Sequence, residues 1–515
     1  MIKNVLGRVL PEEINGIKTI PFQGVGKHIP QGRKAAPPIS SCAHYPADGN
    51  KVVAGLREAL EKCGLRDGMT LSAHHHFRNG DKLMNLLFDT AAEMGVRDLM
   101  FYPSATFPCH EHLIRHLDAG VIHHIEGSLN GPLGSYCSAG KMRGLGVLRS
   151  HGGRYTALQD GEIHVDIAVI AAPTADPFGN ATGSRGPSAC GLLGFALGDS
   201  QYADKVIVVT DNLEPFPCTP FQIHGNLVDY VVVVDEIGDP AKIVSGTTEL
   251  TKSPDRLYIA ELTARFIEAA GIMRDGFSMQ AGAGGTNLAF AIFLRERMRQ
   301  AGVKARFIRG GSTKYLVEML EEGLTDFILD GQTFDTVAVE SIRRNPNRHI
   351  TTSPFTSYNY HSKGNFASIV DVAVLGATEV DVHFNANVAT HSDGILQHGL
   401  GGWSNCLAAR CTILALPSFR DRIPVLLDDV TTVCGPGELI DVIITERGIA
   451  INPRRQDLMD AVRGSGLPVR PIGEIKSEVE RICGGKPEPP LYGERFVSAI
   501  KWVDGTVIDA LREVR

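Results

Sequence analysis

The stretch VDIAVIAAPTADPFGNAT at residues 165–182 returns without a gap as VDVAVLGATEVDVHFNAN at residues 370–387. Each opens on an acid, Asp166 or Asp371, and carries an asparagine near its end, Asn180 or Asn385, with an offset of 205 in both cases. An apolar run this short, bounded by glycine, proline and polar residues, reads as a strand buried on both faces, the kind found in parallel sheets covered by helices. A second pair lies upstream in each half: DGMTLSAHHHFRNGDKLMNLLFDTAAEMGVRDLMFYPS from Asp67, and DGFSMQAGAGGTNLAFAIFLRERMRQAGVKARFIRGGS from Asp275. Both read as strand, polar or glycine loop, helix, a Gly-Val-basic exit, and a further strand. Matching order and spacing imply a duplication. The expected fold is therefore α/β, with two tandem similar domains, each an open, mostly parallel sheet covered by helices.

Working outward, residues 51–250 form the expected first domain and 251–515 the second. The boundary is placed near 245–258, in SGTTELTKSPD, which is rich in small polar residues. KVVAGLREALEKCG (51–64) reads as a helix stopped by Gly64. Residues 1–50 read as an irregular segment interrupted by Pro30, Pro37, Pro38 and Pro46.

The 515 residues are 43% hydrophobic and 21% charged, a composition for a soluble globular protein. A formal charge of −7 with no Lys/Arg-rich run argues against a nucleic-acid partner. The ten cysteines are scattered, with no C-x-x-C spacing. The beginning, MIKNVLGRVLPEE, lacks the apolar stretch of a secretory signal, and runs such as VDIAVIAA fall short of a membrane span. A cytoplasmic protein is expected, with no membrane partner.

Three loops are candidates for chemistry. QAGAGGTN (280–287) follows a strand and opens a helix, where backbone N–H groups and the helix dipole favour an anion or an oxyanion. The letters approach a dinucleotide fingerprint, but Asn287 replaces the last glycine, and the next strand, ARFIRGG, lacks an acidic ribose ligand. A strand–helix turn without a ligand is the other reading. AHHHFRNGD (73–81) occupies the equivalent loop of the first half. Three adjacent histidines cannot all face one metal, so no metal is expected. The loop either offers His74, His75, His76 and Arg78 to an anionic substrate or is purely structural. The segment 375–405, LGATEVDVHFNANVATHSDGILQHGLGGWSN, follows an apolar strand, where an open parallel sheet places its ligand crevice.

In this order the segments resemble the CoA-transferase superfamily, and within it the citrate lyase alpha-subunit family. The resemblance rests on QAGAG (280–284), LGATEVD (375–381), GLGG (399–402) and TERGIAI (445–451), with GKMRGLG (140–146) and ADPFGNATG (175–183) from the first half, and covers about residues 50–465. Ordinary superfamily members carry a nucleophilic glutamate a few tens of residues after the glycine loop. Here the corresponding stretch is RFIRGGSTK (306–314), which has no acid and so no nucleophile to carry over.

The resemblance implies a transferase that exchanges acetate for citrate on an acetyl thioester, by direct attack through a mixed anhydride. The candidate catalytic residues are Gly284, Gly285, Arg309, Gly310 and Glu379. Candidates for the CoA-like arm are Gly282, Thr286, Asn287, Asn385, Asn387, Gly399, Gly401 and Gly402. His75, His76 and Arg78 are candidates for citrate. The resemblance also implies no covalent cofactor on this chain and a CoA-like prosthetic group on a separate acyl carrier (gamma) subunit. A beta subunit is the other expected partner, on a homo-oligomeric core. The alternatives are a carboxylate CoA-transferase or acetyl-CoA hydrolase using free CoA, or a non-catalytic ligand sensor or scaffold.

Overall fold

The computed structural model describes residues 1–29, 48–244, 249–282, 284–360 and 363–515. Pro30, Pro37, Pro38, Pro46, Cys42, Ala283 and the first four residues of the expected boundary lie outside them. The apolar runs become the centres of two sheets. The first has seven strands, all parallel, in the order Val52–Val53, Tyr230–Val233, Lys205–Thr210, Ile167–Ala171, Thr70–Ala73, Leu99–Pro103 and Ile122–Ile125. The second has eight, in the order His349–Thr351, Thr325–Thr333, Ala305–Ser312, Ser278–Ala281, Val372–Leu375, Thr412–Ala415, Val442–Thr445 and Gly448–Ile451. Only its last pair is antiparallel.

The repeat read in the sequence is a repeat of topology. Thr70–Ala73 and Ser278–Ala281 each sit between the strand that follows them in the chain and the apolar strand of the repeated stretch. Ile167–Ala171 and Val372–Leu375 are buried along their whole length, as their branched, two-faced composition requires. A hydrophobic core running from Phe22 to Leu511 includes residues of both halves, and a second lies under helices Pro254–Ala269 and Gly285–Ala301.

Two elements differ from the sequence reading. The expected helix over 51–64 is a short strand, Val52–Val53, followed by a helix only over Leu56–Lys62. The paired β-branched residues join the sheet edge beside Tyr230–Val233 before Gly55 turns the chain. The described part of the first 50 residues is not wholly irregular: Ile2–Lys3 pairs with Val9–Leu10, and Glu13–Ile14 with Ile17–Lys18. This arm packs on the C-terminal hairpin, Tyr492–Lys501 with Val507–Val514, which is joined in one sheet to Gly146–Leu148.

Candidate active site

The two halves share a scaffold of acids and asparagines. Asp166 accepts from the Thr70 N–H at 2.7 Å, and Asp371 accepts from the Ser278 N–H at 2.9 Å, fixing the start of the neighbouring strand in each sheet. Past the strand end, Asp176 accepts from the N–H groups of Phe178, Gly179 and Asn180 and from Asn180 Nδ2. Asp381 repeats the motif with the N–H groups of His383 and Asn385 and with Asn385 Nδ2. Asn180 Oδ1 then accepts from Gly225 N–H, and Asn385 Oδ1 from Gly437 N–H, both at 2.9 Å.

The side chain of Asn385 is thus engaged within its own loop, as its counterpart is in the first half. Asn387 donates to Glu379 Oε2 at 2.9 Å, and Glu379 also accepts from Thr431 N–H and Oγ1 at 3.0 and 3.1 Å. Glu379 and Asn387 are fully buried with these partners.

The halves diverge one layer deeper. In the first sheet Ser72 stands opposite Tyr102. The Arg154 guanidinium lies 4.2 Å over the Tyr102 ring and is neutralised by Asp199, which also accepts from Ser72 and meets His74 Nε2 at 3.0 Å. Burial alone would raise the Asp199 carboxyl; Arg154 and His74 outweigh it and hold it well below the usual carboxylate range.

In the second sheet Gln280 stands opposite Arg309. The Arg309 guanidinium lies 4.8 Å over the Tyr358 ring, and its Nη1 donates to Gln280 Oε1 at 2.8 Å. Gln280 Nε2 in turn reaches Tyr358 Oη and Cys406 Sγ. Arg309 has no solvent exposure, and its Nε and Nη2 have no hydrogen-bond partner among the described residues. The helix that precedes the next strand presents Asp199 to Arg154 in the first half; its counterpart in the second presents Cys406. A buried cation without a carboxylate is costly by several kcal/mol, so an anion in that place would be strongly favoured.

The glycine loop frames this cation. Gly310 has φ +117°, lies at a register shift in its strand, and a Cβ there would stand 2.8 Å from the Ala281 carbonyl oxygen. Gly282 N–H donates to the Val374 carbonyl at 2.9 Å. Gly284, with φ +116°, caps helix Gly285–Ala301 without a side-chain hydrogen bond to its first N–H groups, and Thr286 and Asn287 are buried in the first turn. Gly285 packs against Thr251, where a Cβ would meet backbone at 2.7 Å. An uncapped N-terminus of a long helix is a place for negative charge.

The other expected residues meet at the seam between the halves. The Gly399 N–H donates to Asn130 Oδ1 at 2.6 Å, and the Gly401 carbonyl accepts from His151 N–H at 2.7 Å. A Cβ on Gly399 would strike Ser128, and one on Gly402 would strike the Tyr358 hydroxyl. The GLGG turn is therefore where the second half closes on the N-terminus of helix His151–Asp160, and its glycines permit that approach.

His75 is buried between Phe195, 4.5 Å away, and His151, 5.4 Å away, with Nδ1 2.6 Å from Ser104 Oγ. His76 stacks on His74 and Phe195. Burial pushes both imidazoles well below their ordinary range, so they are neutral near pH 7 and cannot balance substrate charge as cations. Arg78 lies over Phe107 and Phe334, and burial lowers it only to about 10, which leaves it cationic. Phe334 in turn covers Gly311, which joins the first-half loop to the Arg309 strand.

Sequence reasoning missed Tyr358, Cys406, His151 and Asp199. Cys406 follows GLGG in the quoted segment and could have been drawn in by proximity. The others carry no local motif, since tertiary folding brings them from three separate helices.

Residues 49–514 match the family model described as Citrate lyase, alpha subunit (CitF). A citrate lyase alpha chain of Klebsiella pneumoniae is 42% identical over 468 residues, 90% of this chain and 92% of that one. One of Haemophilus influenzae is 39% identical over 490 residues, 95% of this chain and 98% of that one. A solved structure from Streptococcus mutans, described as the alpha subunit of citrate lyase in complex with citrate, is 41% identical with a TM-score of 0.93, covering 100% of both chains. A malonate decarboxylase alpha subunit from Acinetobacter baumannii shares the fold, with a TM-score of 0.61 at 16% identity over 86% of this chain and 89% of that one.

Proposed function

The chain belongs to the citrate lyase alpha-subunit family, and from that premise we propose that it exchanges acetate for citrate on an acetyl thioester, with Arg309 receiving a carboxylate of the acceptor. The observation that carries this reading is the buried guanidinium of Arg309 beside the glycine loop, which has no carboxylate partner among the described residues. A relative whose structure holds citrate supports the class of anion.

The exchange needs two acyl transfers. A citrate carboxylate oxygen attacks the thioester carbonyl, the carbon–sulfur bond breaks, and a thiolate leaves a mixed acetyl–citryl anhydride. The thiolate then attacks the citryl carbonyl, and the anhydride C–O bond breaks to release acetate and leave the citryl thioester. No protein nucleophile is required, in keeping with R-G-G at 309–311 where related transferases place their glutamate.

The chain's residues have two tasks. Arg309, fixed by Gln280 and the Tyr358 ring, orients the attacking carboxylate; positioning of this kind is worth roughly 7–11 kcal/mol in well-built sites. The uncapped helix start at Gly284–Asn287 stabilises the oxyanion, worth about 3–4 kcal/mol per good donor. Because Arg309 is wholly buried, the acceptor reaches it only when its cover shifts. Neutral His75 and cationic Arg78 complete a polar wall on the other half.

The thioester is carried by a CoA-like arm on a separate acyl carrier (gamma) subunit, and a beta subunit cleaves the citryl product. No helix among the described residues is long and apolar enough to cross a membrane. To test the function, the isolated chain is mixed with acetyl-CoA and labelled citrate. Citryl-CoA and acetate should form, with no acyl-enzyme trapped by hydroxylamine. Absence of exchange, even with acetylated carrier protein, would overturn the citrate assignment; a trapped acyl-glutamate would overturn the direct route.

A further inference from the structure

Beside the first sheet, three side chains from two helices converge on one point. Helix Leu83–Glu93 supplies Asp89, and His112 and His116, one turn apart, come from the start and body of helix Leu113–Asp118. His112 Nε2 lies 2.8 Å from Asp89 Oδ1, and His116 Nε2 lies 2.7 Å from the same oxygen. The three ligand atoms all fall within 4.8 Å of one another.

Residues four apart on a helix present their side chains on one face, so the two imidazoles form a ready N,N pair, and the carboxylate opposite closes a facial N₂O set. Tetrahedral zinc at bonds of about 2.0–2.1 Å needs its ligands roughly 3.3–3.4 Å apart, so side-chain shifts of about half an ångström would admit the ion. We propose that Asp89, His112 and His116 form a site for a divalent transition ion of the Zn²⁺ class, with water completing the coordination from the solvent side.

His116 is nearly buried, whereas His112 and Asp89 are about one third exposed, which leaves one side of the cluster open to water. Arg115 also bonds the same Asp89 oxygen and opposes a second cation. Its side chain is 59% exposed, so it can swing into water when the ion arrives. The ion would then replace hydrogen bonds between the two helices with metal–ligand bonds, fastening Leu113–Asp118 to Leu83–Glu93.

The test uses the full chain, stripped with chelator, and Zn²⁺ itself as the probe. Equilibrium dialysis with metal analysis should give one tight equivalent per chain, and Co²⁺ should give the visible absorption of a low-symmetry, tetrahedral-like site. His116→Gln should weaken Zn²⁺ by about tenfold or more, while Arg115→Ala should strengthen it. His164→Gln, which disables the exposed His164–Asp166–Asp204 cluster, should leave the tight equivalent unchanged. No tight equivalent, or one lost with His164→Gln but kept in His116→Gln, would overturn the proposal. Acyl exchange is not the readout, so failure here leaves the proposed function untouched.

Discussion

Two buried arginines, each stacked on a tyrosine, distinguish the halves of this molecule: Arg154 of a helix lies over Tyr102 of a strand, and Arg309 of a strand lies over Tyr358 of a helix. Arg154 is neutralised by Asp199, which also bonds Ser72 and His74; Arg309 has Gln280, Tyr358 and Cys406 nearby and no carboxylate partner among the described residues. The first arrangement is complete in itself, whereas the second is short of one negative charge. After a duplication, the residues that hold the fold stay alike and those that do chemistry are free to differ. Asp176 with Asn180 and Asp381 with Asn385 repeat in the two halves, whereas the surroundings of the two arginines do not.

The comparison breaks most visibly at Arg154. Arg154→Met leaves Asp199 buried without its cation and should destabilise the protein by about 3–5 kcal/mol, read as a fall in the denaturant midpoint. Arg309→Met should do the reverse. It removes an unpaired charge, so the midpoint should hold or rise, while kcat/KM for acyl exchange falls by about 3–4 kcal/mol, or roughly 10²–10³-fold. Equal stability losses in the two variants would show that Arg309 is a structural ion like its counterpart.

Smaller effects sharpen the shared side. Asn180→Ala and Asn385→Ala should each cost about 1–3 kcal/mol through the groups left unpaired, with similar values in the two halves. A selective rise in KM for the acyl donor in Asn385→Ala, without a loss of stability, would place that residue on the thioester arm.

The smallest effect is in the acid limb of stability. Glu126 and Glu162 are held at about 2, against burial, chiefly by Arg149. Their folded values lie below the unfolded value of about 4.3, so their contribution is full above that pH and is lost as pH falls toward 2. Glu126→Gln should therefore flatten the decline in stability between about pH 5 and pH 2, measured by denaturant midpoints across that range.

The topology was legible because it rests on local patterns. VDIAVIAA and VDVAVLGA are apolar enough to declare central strands, and their repetition declares the second sheet. Val52–Val53 was misread as helix because a two-residue edge strand has no periodicity of its own and is created by pairing with Tyr230–Val233. The site was legible only in part. Arg309 stood out because a glutamate was missing from its neighbourhood, but nothing in the sequence said that Asp199 answers Arg154 while Cys406 stands in the matching helix. The histidine run suggested positive charge; burial against Phe195 and His151 makes His75 neutral instead. Glu379 and Asn387 suggested ligand contacts by composition, yet they bond each other and the 431 turn.

The most direct test of the missing charge is a calorimetric titration of citrate into the native chain and into Arg309→Met, with melting temperatures recorded without ligand. The native chain should bind citrate, and the variant should bind it at least about tenfold more weakly while melting no lower than the native protein. Citrate binding that survives in Arg309→Met at native affinity would contradict this expectation.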